Sequence, residues 1–417
     1  MKPLLLFMLA VCSTPLAAAP DWNPYARPSG EFDRRLHDAA FGVPGADRAL
    51  EAWINAHPEL AADRRAQGYN QLCVDYGVLT RYKARARACA AYVNAKRASG
   101  KALSADDDIG VALAFAAQPP IRAIGSAKVP LNWNALGCES VDVTVNGVTS
   151  SWFVDTGAQI TVLIQSLADR LHVRPVAAAA RVGTTTSDVV GKMGMIDRLR
   201  IGSAQVKNVP VLILPDAQLK VGNVHQIEGI LGLQVLAAFG RVAWVDGGRA
   251  LALGDLAPRA PAGAPRMYWD EEGLGVPVRT EKGIRGAFLD TGANVTDWRQ
   301  AGVSLLDPKI VASAPDVVMH VGGAGGVVEV RQRQLSHLSF ALGGLSVRLS
   351  RVPLEDGRKG SAAKLGMDTV SQFDMLVLDF QHMRIGGRLK TPAELRTDRR
   401  PGPTRRDVKI EKSYGGR

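Results

Sequence analysis

The sequence predicts a mostly β protein in two similar lobes, preceded by an α-helical domain, and three observations carry that reading. The chain has 417 residues, too many for one ordinary core. Its texture changes near Val129, from Ala-rich segments with apolar residues three and four apart to short runs broken by Gly, Asn and Asp turns. The second texture also contains a repeat. FVDTGAQIT, from Phe153, returns as FLDTGANVT, from Phe288, so that Asp155 and Asp290 stand 135 positions apart, as do Thr161 and Thr296. ILGLQVLAAF returns as KLGMDTVSQF, with Gly232 to Gly366 and Phe239 to Phe373 both 134 positions apart. Two landmarks kept in one order and at almost one spacing amount to an internal duplication.

The elements follow in chain order. Residues 1–19 read as a secretory signal: Lys2, an apolar run from Leu4 to Val11, then small Ala17 to Ala19. The run is well short of the ~20 residues a membrane-spanning helix needs, so no transmembrane span is expected. A lipoprotein signal ending at Cys12 is the weaker alternative, because bulky Val11 precedes it. Export to a periplasm or beyond is the expectation. Residues 20–125 read as a helical domain, loosely like one tetratricopeptide-type helix pair, with Gly77 marking a break and Pro119–Pro120 closing it. A first β lobe spans 129–257, a Pro/Ala/Gly linker 258–266 and a second lobe 267–388. Residues 389–417 read as a basic disordered tail.

Composition narrows the partners. Hydrophobic content of 46% and charged content of 22% suit a folded soluble protein. The net charge of +11 would suggest nucleic acid or anionic membranes, but ten Lys or Arg against four Asp or Glu lie between Arg388 and Arg417. A solvated tail is favoured over contact with an anionic surface, and no nucleic acid partner is expected. In an oxidising compartment a Cys73–Cys89 bridge across two antiparallel helices would leave Cys138 free or buried, although sequence does not fix connectivity.

The repeated phrases closely resemble the aspartic peptidases of the pepsin and retropepsin type, in which each lobe supplies one Asp-Thr/Ser-Gly turn and one apolar-apolar-Gly element. The resemblance covers roughly Cys138 to Gly387 and implies a bilobal pepsin-like double β-barrel of two retropepsin-like lobes. It implies Asp155 and Asp290 as the catalytic pair. Thr156 and Thr291 would bond across the lobe interface, Gly157 and Gly292 would let the acids approach, and Gly232 and Gly366 would lie beneath the active loops. Arg181 to Gly202 falls where the family's flap hairpin is expected, and His320 to Val330 is a candidate counterpart, or a simple flexible hairpin.

The repeat has a chemical reason. Peptide hydrolysis without a metal or a nucleophilic side chain needs a base for water and an acid for the carbonyl oxygen at once. Two carboxyls in contact supply both, because they share one proton. No cofactor or metal is called for; the partner is a peptide or protein substrate, and a monomer is favoured. Ala158 and Ala293 lack the hydroxyl that would favour a charged carboxylate, which predicts activity from mildly acidic to near-neutral pH. One departure stands out. Where the first lobe continues Val162-Leu163-Ile164, the second reads Asp297-Trp298-Arg299, which brings the packing and competence of that lobe into question.

Other chemistries find no support: there is no His-Glu-x-x-His, no Gly-x-Ser-x-Gly, and Gly191-Lys192-Met193 lacks phosphate-loop spacing. The rival reading is a catalytically weak or inactive peptide-binding or scaffold module on the same fold.

Overall fold

The computed structural model describes residues 5–7, 23–103, 109–134, 136–183, 188–221, 225–323, 326–355 and 360–398. Most of the expected signal, the tip of the first candidate flap and the tail beyond residue 398 lie outside the described residues. Leu5–Phe7 forms a short strand running parallel to His320–Gly322 in the second lobe.

Four helices open the fold: α1 (Glu31–Ala40), α2 (Ala46–Ala56), α3 (Ala62–Val78) and α4 (Tyr82–Ala98). Phe32, Leu36, Leu50, Ile54, Leu72 and Tyr76 bury one apolar face of each of the first three in a common core. Gly68 lets α2 and α3 close up, since a Cβ there would lie 2.5 Å from Ile54 Cδ1. Helix α3 continues through Gly77, where a break was expected, and ends at Val78. A disulfide joins Cys73 on α3 to Cys89 on α4, with α-carbons 4.9 Å apart, and Cys138 is buried and free.

The helices dock onto the lobes through specific contacts. Gln71 Nε2 donates to Trp269 O at 3.0 Å, Gln234 Nε2 donates to Gly77 O at 2.9 Å, and Tyr25, Phe41 and Tyr268 meet edge to face or tilted. The boundary falls earlier than residue 125. Arg122–Ile124 is already a strand of the first lobe, antiparallel to Gln205–Lys207, because the paired prolines before it impose extended backbone.

In the first lobe, six strands close on themselves in the order Ala204–Leu214, Thr161–Ile164, Gly229–Leu231, Val148–Val154, Glu139–Val145 and Asp188–Ile201; the last pairs back with the first. The second lobe repeats the closure with Gly326–Leu342, Leu345–Glu355, Asp297–Arg299, Ala363–Leu365, Gly283–Leu289 and Gly273–Thr280. The protein is therefore mostly β, with a double barrel behind α-helices. A further sheet ties the lobes together: Arg241–Val245 of the first pairs antiparallel with Phe373–Asp379 of the second, flanked by Ala250–Leu253 and Arg384–Leu389.

The expected tail begins too early at 389. Lys390 is buried, with Nζ 2.8 Å from Ser371 O and 2.5 Å from Asp398 Oδ2, and Pro392–Thr397 is a helix opened by a Thr391/Glu394 capping box. Charge alone hid these ordered residues. No helix among the described residues is long and apolar enough to cross a membrane.

The Cys73–Cys89 bridge closes a 16-residue separation. Chain-entropy arguments assign such a loop roughly 3 kcal/mol. Replacing both cysteines by alanine should lower stability by that order in chemical denaturation, and reductant should no longer alter the variant's midpoint.

Candidate active site

Two buried strands deliver the two acids. Trp152, Phe153 and Val154 end Val148–Val154, and Ala287, Phe288 and Leu289 end Gly283–Leu289, so each carboxyl arrives on an apolar support. Asp155 N donates to Leu231 O at 3.1 Å and Asp290 N to Leu365 O at 2.9 Å, which anchors each turn to the strand before its glycine element. Asp155 Oδ1 accepts from Gly157 N at 2.7 Å and Ala158 N at 3.1 Å; Asp290 Oδ1 accepts from Gly292 N at 3.0 Å. The two carboxyls face each other across the interface, since one point, a Cβ built on Gly157, would lie 2.4 Å from Asp290 Oδ1 and 3.1 Å from Asp155 Oδ1, and both residues are 0% exposed. Each Oδ2 is buried and receives no hydrogen bond from an N–H or hydroxyl.

Glycine is required on both sides of this contact. A Cβ at Gly157 would lie 2.4 Å from Asp290 Oδ1, and one at Gly292 would lie 2.4 Å from Asp155 Cγ. Each turn thus leaves room for the other lobe's acid.

Four hydrogen bonds lock the turns together. Thr156 N donates to Thr291 Oγ1 at 3.0 Å and Thr291 N to Thr156 Oγ1 at 3.1 Å. The hydroxyls then donate across the interface, Thr156 Oγ1 to Leu289 O at 2.7 Å and Thr291 Oγ1 to Val154 O at 2.8 Å. Every donor and acceptor is buried and satisfied, which makes the arrangement rigid.

Gly232 and Gly366 sit under the turns. A Cβ on Gly232 would meet Ile160 C at 2.6 Å, and one on Gly366 would meet Val295 C at the same distance. The next residues carry the turns: Leu233 N donates to Ala158 O and Met367 N to Ala293 O, both at 2.7 Å. Thr161 Oγ1 and Thr296 Oγ1 accept from Gly232 N and Gly366 N at 3.2 and 3.0 Å. The repeat showed these two threonines without revealing that role.

Burial and mutual repulsion set the electrostatics. Asp155 is pushed well above the usual carboxylate range, first by burial and then by the charge of Asp290. Asp290 is raised to about 6 by burial; Lys364 opposes the rise and Asp297 adds to it. Cys138 donates Sγ–H to Gly292 O at 3.4 Å, and burial, then the two acids, push its thiol well up.

The second-lobe departure is fully packed, contrary to the doubt raised by its sequence. Asp297, Trp298 and Arg299 are all buried, and the charges are paired. Lys364 Nζ lies 3.3 Å from Asp297 Oδ2, Arg299 Nη1 2.6 Å from Glu272 Oε1 and 2.6 Å from Ser361 Oγ, and Arg299 Nε 3.6 Å from both Asp297 and Glu355. Sequence reasoning missed Lys364, Glu272 and Glu355; the signal for Lys364 was the first letter of KLG against ILG.

A hairpin rises from each lobe where flaps were expected. Arg174–Gly183 pairs with Asp188–Ile201 up to Gly183 opposite Asp188, and Asp316–Gly323 pairs with Gly326–Leu342 up to Gly323 opposite Gly326. The second packs Met319 and Val321 against Ala293, beside the dyad. A cavity of about 580 Å³ lies elsewhere, between the helices and the second lobe, lined by Arg64, Gln71 and Lys96 with Tyr268, Glu272 and Ser361; neither dyad acid lines it.

Comparison with known proteins agrees in part. A family described as aspartyl protease matches residues 141–235, which hold the first turn and Gly232 but not the second turn. No curated protein matches the sequence. Among solved structures, basic 7S globulin from soybean is similar at 13% identity, covering 65% of this chain and 96% of its own, with a TM-score of 0.43. Conglutin gamma, a basic 7S globulin from lupine seeds, is similar at 12% identity, covering 64% and 95%, with a TM-score of 0.42.

Proposed function

We propose that this chain is an exported aspartic endopeptidase that hydrolyses peptide bonds with water held between Asp155 and Asp290. The observation that carries the reading is the close approach of two buried carboxyls from duplicated turns, fixed by the threonine interlock. Two such groups in a dry site cannot both ionise, so one carries a proton and one a charge. The carboxylate removes a proton from water as the water oxygen attacks the scissile carbon. The carboxylic acid gives its proton to the carbonyl oxygen. The gem-diol then collapses: the carboxyl that took the water proton gives it to the leaving nitrogen, the other takes a hydroxyl proton, the C–N bond breaks to release a carboxylic acid and an amine, and the dyad again holds one proton. No bond to the protein forms.

Substrate would lie extended between the hairpins, bound through its backbone as a strand. The leader pattern and the Cys73–Cys89 bridge support export. The helices contact Leu233–Ala238 and Tyr268–Asp270, on the side of the glycine elements, which favours an integral support over a removable prosegment.

Three outcomes are expected. Asp155→Asn and Asp290→Asn should each lower kcat on a casein or peptide-library substrate by roughly 10²–10⁴-fold with the melting profile retained; full activity in either would exclude the mechanism, and inactivity of the native chain would favour the binding-module rival. Gly292→Ala should cost about 10²-fold or more in kcat by displacing Asp155, read alongside binding of a statine-type inhibitor. Because the dyad works with one proton, kcat/KM should fall on acidification through about pH 6, where Asp290 is protonated, and persist at neutral pH where Asp155 holds its proton. An optimum confined near pH 2 would contradict this assignment.

A further inference from the structure

The duplication supplies its own control for the charges beneath the second turn. In the first lobe Ile230 stands opposite Val162 across an antiparallel pair and opposite Phe153 across a parallel one. In the second lobe the same places are held by Lys364, opposite Asp297 and opposite Phe288. Registers match position for position. A directly opposed apolar pair in one lobe is therefore a directly opposed ion pair in the other, and both are buried.

Lys364 stands on the sheet face of the active turn, opposite Phe288 of the adjoining strand, two residues before Asp290. It lies two residues before Gly366 in Ala363–Leu365, so strand alternation puts both on one face, and Gly366 abuts Ala293 O and Val295. Asp290 is anchored to the neighbouring Leu365 by its own N–H. Asp155 has the corresponding bond to Leu231, and the positions matching Lys364 and Asp297 hold the aliphatic Ile230 and Val162.

We propose that the Lys364–Asp297 pair makes the two acids unequal, against the extra Ala158 N–H that Asp155 accepts, so that in the free protein Asp290 carries the charge of the dyad and Asp155 carries its proton. This rests on the aspartic peptidase reading and deepens it: Asp290 becomes the base that receives the water proton, and Asp155 the acid that protonates the carbonyl oxygen. Lys364 and Asp297 are positioning residues, acting through Asp290 without touching substrate.

The other ionisable groups around Asp290 do not reproduce the asymmetry. Asp155 faces it across the interface, and Cys138, with Glu139 beside it, approaches from the first lobe. Asp368 on Met367–Val370 accepts from Thr296 N, Thr296 Oγ1 and Thr369 N and sits near Asp297. Arg299 is held by Glu272, Asp297 and Glu355. Among the charged groups, the cation of Lys364 favours a charged Asp290 ahead of the opposing charge of Asp297, and the Gly292 N–H adds to it.

The test exchanges the second-lobe pair for its first-lobe counterpart. Carbon-13 NMR of aspartate-labelled protein, assigned with Asp155→Asn and Asp290→Asn, should show Asp290 ionising before Asp155 in the native chain. In the Asp297→Val, Lys364→Ile double variant the Asp290 midpoint should rise by about one pH unit or more, as expected when an adjacent opposite charge is removed, while Asp155 stays. Removing both partners together avoids a lone buried charge. Should that variant fail to fold, Asp297→Asn, Lys364→Met keeps the shapes and carries the same expectation. Where hydrolysis is measurable, the acid limb of kcat/KM should move up with the Asp290 midpoint and the alkaline limb should not. An unmoved midpoint, or Asp155 ionising first in the native chain, overturns the inference. The NMR titration needs no turnover, so an absence of hydrolysis in the native chain would refute the peptidase reading separately.

Discussion

The structure depends on a reciprocal exchange of hydrogen bonds at the lobe interface. Thr156 and Thr291 each give a hydroxyl proton to the strand carbonyl of the opposite lobe and each accept from the other's backbone N–H. All six participating groups are buried, so breaking the exchange would strand polar groups in a dry interior at a cost of about 1–3 kcal/mol each. That cost holds two mutually repelling carboxyls in contact. The double barrel, the shared sheet below and the glycines beside the acids can be understood as what lets this exchange close without steric conflict.

A pseudo-twofold arrangement gives two acids the same surroundings, whereas acid–base chemistry needs them to differ at any instant. In the proposed mechanism one shared proton already makes them differ, but it does not say which acid holds it. In a symmetric homodimer the choice would be degenerate. Fusing two copies into one chain removes the degeneracy, because Ile230/Val162 and Lys364/Asp297 can then diverge without affecting each other. The buried ion network is poor evidence of added stability, since desolvating charges generally offsets their attraction. Its location under only one of two duplicated turns gives it another reading, as a fixed electrostatic bias.

Much of this was legible in the sequence because duplication turns weak signals into strong ones. One Asp-Thr-Gly could be an ordinary turn, but two with matched flanks, each followed at nearly one distance by a glycine phrase, specified a pair of lobes and the residues lining their meeting point. A Cys73–Cys89 bridge across two antiparallel helices was a pairing the sequence allowed without fixing it, and the structure forms it. What stayed hidden was three-dimensional. Residues 389–398 looked like part of a basic tail because their charge was visible, while the burial of Lys390 against Ser371 and the capping of Pro392–Thr397 were not. Arg122–Ile124 is too short to announce a strand without its partner at Gln205–Lys207.

The ion network is the more instructive case. Asp297-Trp298-Arg299 stood out as a departure while Lys364 in place of Ile230 was passed over, and each alone suggests damage to a lobe. Only the register shows that Asp297 and Lys364 are cross-strand neighbours, so that one change compensates the other. A single charge introduced into this core would be expected to destabilise it; two opposite charges at facing positions form a neutral insert of similar volume. The nearby acids then fix the sign of the effect: Lys364 attracts the charge of Asp290 more strongly than Asp297 repels it. Compensation for packing and bias on the dyad are consequently one substitution pattern, visible as such only when the two lobes are laid in the same register.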